Sequence, residues 1–274
     1  MDGPSRAFLP SLIAATIVAC ALRFADLGGI PPSLYCDEAF HGWEAYCLLE
    51  TGRDSRGVAL PLFFDIFGKG WGEPLYTYLT VPAVALFGLT PLAARAAAAA
   101  AGTLAVPVTG LLAAALLRGA GKGMAERAGI VAAALMAISP WSFHLSRVAF
   151  QASLLPLMLA AGFWLAARGV RAVRRKSAWL LPAGLVLGVS LYTYTVARLA
   201  MPLLLAGFVF THRRFLRQSL RPAAAGFLAL VLVSLPIAGF TLTERGRQRF
   251  SDVSLLSTGE AGGLSAAKLA RRVA

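Results

Sequence analysis

Long apolar runs separated by short basic connectors dominate this sequence of 274 residues. Hydrophobic residues make up 58% of the chain and charged residues only 14%. A water-soluble globule of this size cannot cover that much apolar surface with so few polar side chains. Runs of this length and number are typical of helices that cross a bilayer. The sequence therefore predicts an all-α membrane protein.

The distribution of basic residues predicts how the chain is threaded through the bilayer. The net charge is +13, but the basic residues cluster in the connectors, which is typical of cytoplasmic loops and not of a nucleic-acid-binding surface. A cytoplasmic N-terminus followed by seven transmembrane helices satisfies this rule. The predicted spans are residues 8–24, 91–117, 124–140, 149–167, 178–194, 199–211 and 223–240.

The apolar segment 73–88 is predicted to lie at the membrane surface instead of crossing it. It contains Pro82 and is shorter than a typical span of about 20 residues. Counting it as a span would place the later basic connectors outside, against the charge rule. The first extracytoplasmic loop is therefore predicted to cover residues 25–90 and to contain interfacial helices.

This first loop is strongly acidic. Eight of the chain's 13 acidic residues lie between positions 25 and 74. If the stretch after Cys36 is helical, Asp37, His41 and Glu44 share one face, because they are four and three positions apart. Three interpretations stay open: a solvated helix, a carboxylate that acts as general base, and a site for a divalent metal ion.

Two arginines are predicted to lie on the outer side, where the charge rule disfavours them. Arg147 and Gln151 follow the motif Ser139-Pro140-Trp141, and Arg198 follows Tyr194. Interfacial anchoring explains the tyrosine and could explain Arg147. The alternative is that both guanidinium groups bind an anionic substrate such as a phosphate.

The three cysteines are predicted to be free thiols. Cys20 lies in an apolar run, while Cys36 and Cys47 share the first loop. On one helix the latter pair would be separated by about 16 Å, which is too far for a disulfide bond.

These features, in this order, resemble the GT-C membrane glycosyltransferases of the family 39 type, which include protein O-mannosyltransferases and aminoarabinose transferases. The resemblance covers roughly residues 8–250. It rests on DEAFHG (37–42), LLETGRDSRGVALPLFF (48–64), EPLYTYL (73–79), GLTPLAAR (88–95), SPWSFHLSR (139–147) and LGVSLYTYTVAR (187–198).

The resemblance implies a cell-envelope enzyme in the inner or plasma membrane, with its active site facing outside. Such an enzyme moves a sugar from a polyprenyl-phosphate carrier to a lipid, glycan or protein acceptor. Asp37 matches the family's first-loop aspartate and Glu38 its acidic neighbour, so both are predicted to be catalytic. The predicted substrate-binding residues are His41, Arg147, Gln151, Tyr194 and Arg198.

The chain departs from the family pattern at several points. Glu73 replaces a lysine of many relatives, and Gln151 replaces an acid. Relatives are also longer, so residues 1–250 are predicted to form the transmembrane module and residues 251–274 the start of a truncated outer segment. Two alternatives stay open: a multi-span transporter, which would place ionisable groups near the midplane, and a noncatalytic fragment or assembly subunit.

Overall fold

The computed structural model describes residues 4–68, 70–170 and 176–243. Within these ranges the fold is almost wholly helical, as predicted, with two short strands in the first loop. The helices are α1 (Phe8–Phe24), α2 (Cys36–Thr51), α3 (Leu75–Phe87), α4 (Pro91–Leu116), α5 (Lys122–Ile138), α6 (Pro140–Leu145), α7 (Leu155–Val170), α8 (Leu180–Ser190), α9 (Ala197–Gln218) and α10 (Leu220–Leu242). The predicted tail, 251–274, lies outside the described residues.

Four helical segments among the described residues are long and apolar enough to cross a membrane. They are Pro91–Ala120, Gln151–Val170, Ala197–Gln218 and Leu220–Leu242. The apolar helices α1, α3 and α8 are shorter. The chain is thus a multi-pass membrane protein, while the count of seven spans stays a prediction.

Three helix boundaries differ from those predicted by four residues or more, and the first is the start of α7, which lies at Leu155 instead of residue 149. Helix α8 covers only Leu180–Ser190, because the chain turns after Ser190 with a hydrogen bond from Thr193 N to the Ser190 carbonyl (3.1 Å). Helix α9 continues past the predicted end at residue 211 to Gln218. Its last turns are rich in arginine, leucine and glutamine, which favour helix even where the segment is no longer apolar.

Small residues let the apolar helices approach closely. A Cβ atom on Gly110 of α4 would lie 2.8 Å from the carbonyl oxygen of Gly129 on α5, and one on Gly184 of α8 would lie 1.9 Å from that of Gly226 on α10. Helices in lipid are held together by such packing instead of by a hydrophobic driving force. These contacts join α4 closely to α5, and α8 closely to α10.

The first loop folds over one end of the helices. Strands β1 (Phe64–Asp65) and β2 (Trp71–Gly72) form an antiparallel pair. The ring of Phe63, just before β1, stacks on Phe240 near the end of α10, with 3.8 Å between ring centroids. Helix α3 follows β2 at the segment predicted to be interfacial. The loop is therefore an ordered cap that positions α2.

Candidate active site around helix α2

Asp37 is the second residue of α2, near the amino end of the helix. Its side chain is partly exposed, and within the described ranges its only hydrogen bond comes from the Cys36 thiol, at 3.6 Å. No basic side chain in the described part of the chain forms an ion pair with it. The positive end of the helix dipole favours a negative charge at this position. Asp37 is therefore an accessible carboxylate on a fixed helix.

Its neighbour Glu38 is buried, with only 2% of its surface exposed. The carboxylate is bound by Arg95, whose Nε lies 2.8 Å from Oε1 and whose Nη2 lies 3.2 Å from Oε2. The backbone N–H groups of Tyr35 and Ala149 also donate to it, each at 2.9 Å. Burial by itself raises the pKa of Glu38, but these hydrogen bonds outweigh burial and lower it. Glu38 is thus an ionised carboxylate inside the protein.

The guanidinium of Arg95 also binds the chain that leads into α2. It donates to the carbonyl oxygens of Leu27 (3.1 Å), Pro31 (2.9 Å) and Ser33 (2.9 Å). Arg95 is fully buried on α4. One arginine therefore ties α4, residues 27–33 and the start of α2 into a single unit, and so positions Asp37.

His41 lies one turn further along α2 and faces inward. It is 1% exposed, and its Nδ1 lies 2.9 Å from the hydroxyl of Thr77 on α3. Burial lowers the pKa of His41 to about 3, so the ring is neutral at physiological pH. Tyr76 packs on this ring and donates from its hydroxyl to the Ala94 carbonyl at 2.8 Å. These contacts hold α2, α3 and α4 together.

Glu44 is also buried and is bound by Ser55, whose N–H and hydroxyl both donate to its carboxylate. Asp37, His41 and Glu44 do lie on one helix as predicted. Asp37 is partly exposed, whereas the other two side chains are buried. Among the described residues no group of three His, Cys, Asp or Glu side chains is arranged to hold a metal ion. The structure gives the metal interpretation no support.

A cavity of about 430 Å³ opens beside α2, and its lining on that helix begins at Ala39, two residues after Asp37. Its aromatic wall consists of Phe40, Trp43 and Phe67, and its polar wall includes the ion pair between Arg56 and Asp65. The cavity is large enough for a small organic group and lies on the same loop as the accessible carboxylate.

The guanidinium of Arg147, which was predicted to bind an anionic substrate, contacts the end of α1. Only 8% of its surface is exposed. Its Nη1 donates to the Leu22 carbonyl at 2.8 Å, and its Nη2 donates to those of Ala25 (2.8 Å) and Ile30 (3.0 Å). Carbonyl groups at the end of a helix lack backbone partners and attract positive charge. Arg147 therefore caps α1.

A second arginine, Arg23 at the end of α1, also binds helix-terminal carbonyl groups and was not predicted from the sequence. It is fully buried and donates to the carbonyl oxygens of Met136 and Ala137, each at 3.2 Å, and to the Ser142 hydroxyl at 2.9 Å. The two carbonyl groups belong to the last turn of α5. The signal that could have revealed it is its position at the edge of an apolar run, where an arginine requires partners.

Arg198 forms an ion pair with Glu73, at the end of the first loop. Its Nη2 lies 3.0 Å from Oε1 of Glu73, which also accepts from the Thr195 hydroxyl at 2.6 Å. The Glu73 side chain is buried, while 21% of the Arg198 side chain is exposed. The acid that replaces a lysine of many relatives is therefore the ion-pair partner of Arg198.

The turn Gln151–Leu154 follows a segment that contacts both Glu38 and Tyr194. It follows Ala149, which binds Glu38, and Phe150, whose ring makes an edge contact with Tyr194 at 5.5 Å between centroids. Gln151 is 5% exposed, and its amide oxygen has no hydrogen-bond partner among the described residues. Gln151 and Tyr194 thus lie on adjoining segments.

A family model of dolichyl-phosphate-mannose-protein mannosyltransferases matches residues 13–245, which is most of the chain. The chain belongs to this family. The resemblance inferred from its motifs is thereby confirmed. Comparisons with curated proteins and with solved structures gave no match.

Membership of the mannosyltransferase family makes this chain a membrane glycosyltransferase. It favours the transferase over the transporter and over the noncatalytic subunit. The matched region includes the acidic start of α2, the ion pair of Glu38 with Arg95 and the pair of Glu73 with Arg198.

Proposed function

We propose that this mannosyltransferase-family protein transfers a sugar from a polyprenyl-phosphate carrier to an acceptor on the extracytoplasmic face of the inner or plasma membrane. Asp37 is the general base. Glu38 is a positioning residue, although the motif alone suggested that both acids are catalytic. The sugar is a hexose or pentose, and the acceptor is a lipid, glycan or protein group that ends in a hydroxyl or amine.

The accessibility of Asp37 is the observation that carries this proposal. Asp37 is partly exposed and has no cationic partner in the described ranges, whereas the neighbouring Glu38 is buried in an ion pair. A general base must reach the proton that it removes. Of these two adjacent acids, only Asp37 meets that requirement in this conformation.

The environment of Glu38 supports a positioning role. Its carboxylate receives four hydrogen bonds, two from Arg95 and two from backbone N–H groups. A carboxylate bound in this way is a poor proton acceptor because its charged form is stabilised. It fixes the first turn of α2 and therefore the direction of Asp37, in keeping with the gain in rate from preorganised groups.

Arg198 is the better candidate for the carrier phosphate. A leaving phosphate needs its growing negative charge stabilised, and a guanidinium group does this through charge-assisted hydrogen bonds. Arg198 is 21% exposed at its side chain, whereas Arg147 is buried under the carbonyl groups that end α1. We therefore assign the phosphate to Arg198 and helix capping to Arg147.

The other predicted substrate-binding residues also differ in their roles, since some contact substrate and one supports the fold. Gln151 has a buried amide oxygen able to accept a hydroxyl donor, and Tyr194 lies on the segment that contacts Phe150. We assign these two to the sugar or acceptor. His41 is enclosed between α2 and α3, so we assign it to the support of α2.

The proposed reaction is a single displacement with inversion at the anomeric carbon. A carboxylate oxygen of Asp37 takes the proton from the acceptor hydroxyl or amine. The acceptor atom forms a bond to the anomeric carbon while the bond from that carbon to the phosphate oxygen breaks, and polyprenyl phosphate leaves with the bonding electrons. Such general-base assistance contributes about 10²–10⁴-fold.

Chemical labelling of the neighbouring Cys36 tests whether Asp37 lies outside the cytoplasm. Cys36 is an exposed free thiol. In a variant with Cys20→Ala and Cys47→Ala, a membrane-impermeant maleimide added to intact cells should label Cys36. Labelling only after the cells are opened would place Asp37 on the cytoplasmic side and contradict the proposal. The control is Arg214→Cys, in the basic connector, with all three native cysteines replaced by alanine; it should be labelled only after the cells are opened.

Transfer itself is tested with a radiolabelled sugar on polyprenyl phosphate. Membranes containing the protein should move the label from the carrier to an acceptor, with release of polyprenyl phosphate. Label that crosses the membrane while it stays on the carrier would identify a transporter. Label that stays on the carrier without moving, with every candidate acceptor class present, would contradict the transferase function.

A further inference from the structure

A second cavity, of about 630 Å³, lies among α7, α8, α9 and α10. It shares no lining residue with the cavity beside α2, and Arg213 at its edge is 15 positions after Arg198 on α9, or about 22 Å along the helix from the proposed phosphate contact. Its lining is almost entirely apolar and includes Leu187, Leu205, Phe208 and Leu230. Its size is typical of a ligand-binding cavity.

The cavity exists because α9 packs closely only at its start. Ala197 and Met201, in the first turns of α9, are buried, and the later residues of the helix are more exposed. On the other side, α8 and α10 are held in direct contact at Gly184 and Gly226. The result is a gap between α9 and a rigid apolar wall.

Two arginines lie at one end of this gap. Arg213 and Arg217 are the charged residues of the lining and are four positions apart, on the same side of α9. Neither forms an ion pair with an acid in the described part of the chain. The connector around them, residues 212–221, contains no acidic residue. An apolar cavity that ends in two such cations is complementary to a lipid with an anionic head group.

We propose that this cavity binds one anionic diacyl phospholipid of the surrounding bilayer. An acyl chain lies against Leu205 and Leu230, and the phosphate is bound by Arg213 and Arg217. Basic pockets between transmembrane helices bind anionic lipid head groups in this manner. The proposal does not depend on the glycosyltransferase reaction, because the cavity shares no residue with the site around Asp37.

Phospholipid retention tests the charged end of the site. The protein is purified, incubated in detergent with equal amounts of phosphatidylglycerol and phosphatidylcholine, and analysed by native mass spectrometry. Wild-type protein should retain one phosphatidylglycerol in preference. In the variant Arg213→Gln/Arg217→Gln, the ratio of retained phosphatidylglycerol to phosphatidylcholine should fall by about tenfold or more. The reason is that each basic residue contributes to the attraction of an anionic head group.

The matched control is Arg214→Gln/Arg221→Gln, which removes the same charge from positions that do not line the cavity. It should retain phosphatidylglycerol as the wild type does. Equal loss in both double variants would show a general charge effect and overturn the site. Equal retention of both phospholipids by the wild type, or retention of neither, would overturn it as well.

A cavity-filling variant tests the apolar end without changing charge. Ala224 lines the cavity, and the adjacent Ala225 does not. Ala224→Phe should lower phosphatidylglycerol retention at least fivefold, whereas Ala225→Phe should not, at equal thermal stability of the two variants. Preferential displacement of phosphatidylglycerol by added polyprenyl phosphate, or appearance of a dimer without bound lipid, would assign the cavity to another occupant and contradict the proposal.

Discussion

The guanidinium of Arg95 and the carboxylate of Glu38 form a two-point ion pair, with 2.8 Å between Nε and Oε1, and both side chains are withdrawn from solvent. The pair joins α4 to the first turn of α2. It lies directly beside Asp37, which is partly exposed. The position of the proposed base therefore depends on a contact between two residues that are 57 positions apart in the sequence.

Breaking this ion pair should destabilise the protein strongly. Glu38→Gln and Arg95→Met should each lower the free energy of unfolding by about 3–5 kcal/mol, because each leaves a buried group without its charged partner. The double variant should lose clearly less than the sum of the two single losses. Thermal unfolding of the purified protein in detergent measures all three.

The matched control is the pair of Arg56 with Asp65, in which 52% of the Arg56 side chain is accessible. Arg56→Gln should cost no more than about 1 kcal/mol. A strictly additive double variant at Glu38 and Arg95 would contradict the proposed coupling of these two residues.

Burial of neutral His41 should make the protein less stable in acid. The pKa of His41 is lowered from 6.5 to about 3 in the folded chain. Between these two values the unfolded chain binds a proton that the folded chain does not, so stability falls as pH decreases, by up to about 1.4 kcal/mol per pH unit. Above pH 6.5 this contribution is constant.

The variant His41→Gln retains a group that can bind Thr77 but cannot titrate. The fall in unfolding temperature between pH 6.5 and pH 4 should therefore be smaller than in the wild type. His144→Gln removes an exposed imidazole and controls for the loss of a histidine as such. An unchanged pH dependence in His41→Gln would mean that the ring is not enclosed.

Replacement of Arg147 should affect stability before it affects substrate binding. In Arg147→Met the carbonyl groups of Leu22, Ala25 and Ile30 lose their donor. The loss of hydrogen bonds from a charged group should cost about 2–4 kcal/mol in total. Thermal unfolding and the KM for the lipid-linked sugar are measured together. A stable variant with a raised KM would restore the assignment of Arg147 to the carrier phosphate.

The contact between α8 and α10 should not tolerate a side chain. Gly184→Ala would place a Cβ atom 1.9 Å from the Gly226 carbonyl oxygen, so the helices must separate, at a cost of about 1–3 kcal/mol. Gly207→Ala on α9 is the control, because nothing lies within 4 Å of its added Cβ. That variant should keep or slightly raise the unfolding temperature. Equal stability of both variants would contradict the close helix contact.

The features of the fold that depend on local sequence could be predicted. The apolar runs gave α1 and α3 at nearly their observed positions. The start of α4 follows from Thr90, whose hydroxyl accepts from Ala93 N at 3.2 Å, and from Pro91 in the first turn. The end of α9 was missed because an apolar-run criterion stops at charged residues, while helix propensity does not.

The partners of the charged residues could not be predicted in the same way. The motif indicated that Asp37 and Glu38 matter, but only folding shows that Glu38 is bound by Arg95 and that Asp37 has no such partner. Likewise, the sequence suggested phosphate binding for Arg147, and the structure directs its guanidinium to the end of α1. The environment of a side chain arises from contacts between distant segments, and no short sequence pattern encodes those contacts.

The variant Asp37→Asn tests whether Asp37 is the general base. Asparagine preserves the shape of the side chain but removes the charge and the basic oxygen. Transfer of radiolabelled sugar from polyprenyl phosphate should fall by about 10²–10⁴-fold, with an unfolding temperature equal to that of the wild type. A folded Asp37→Asn protein that transfers sugar at the wild-type rate would contradict the account.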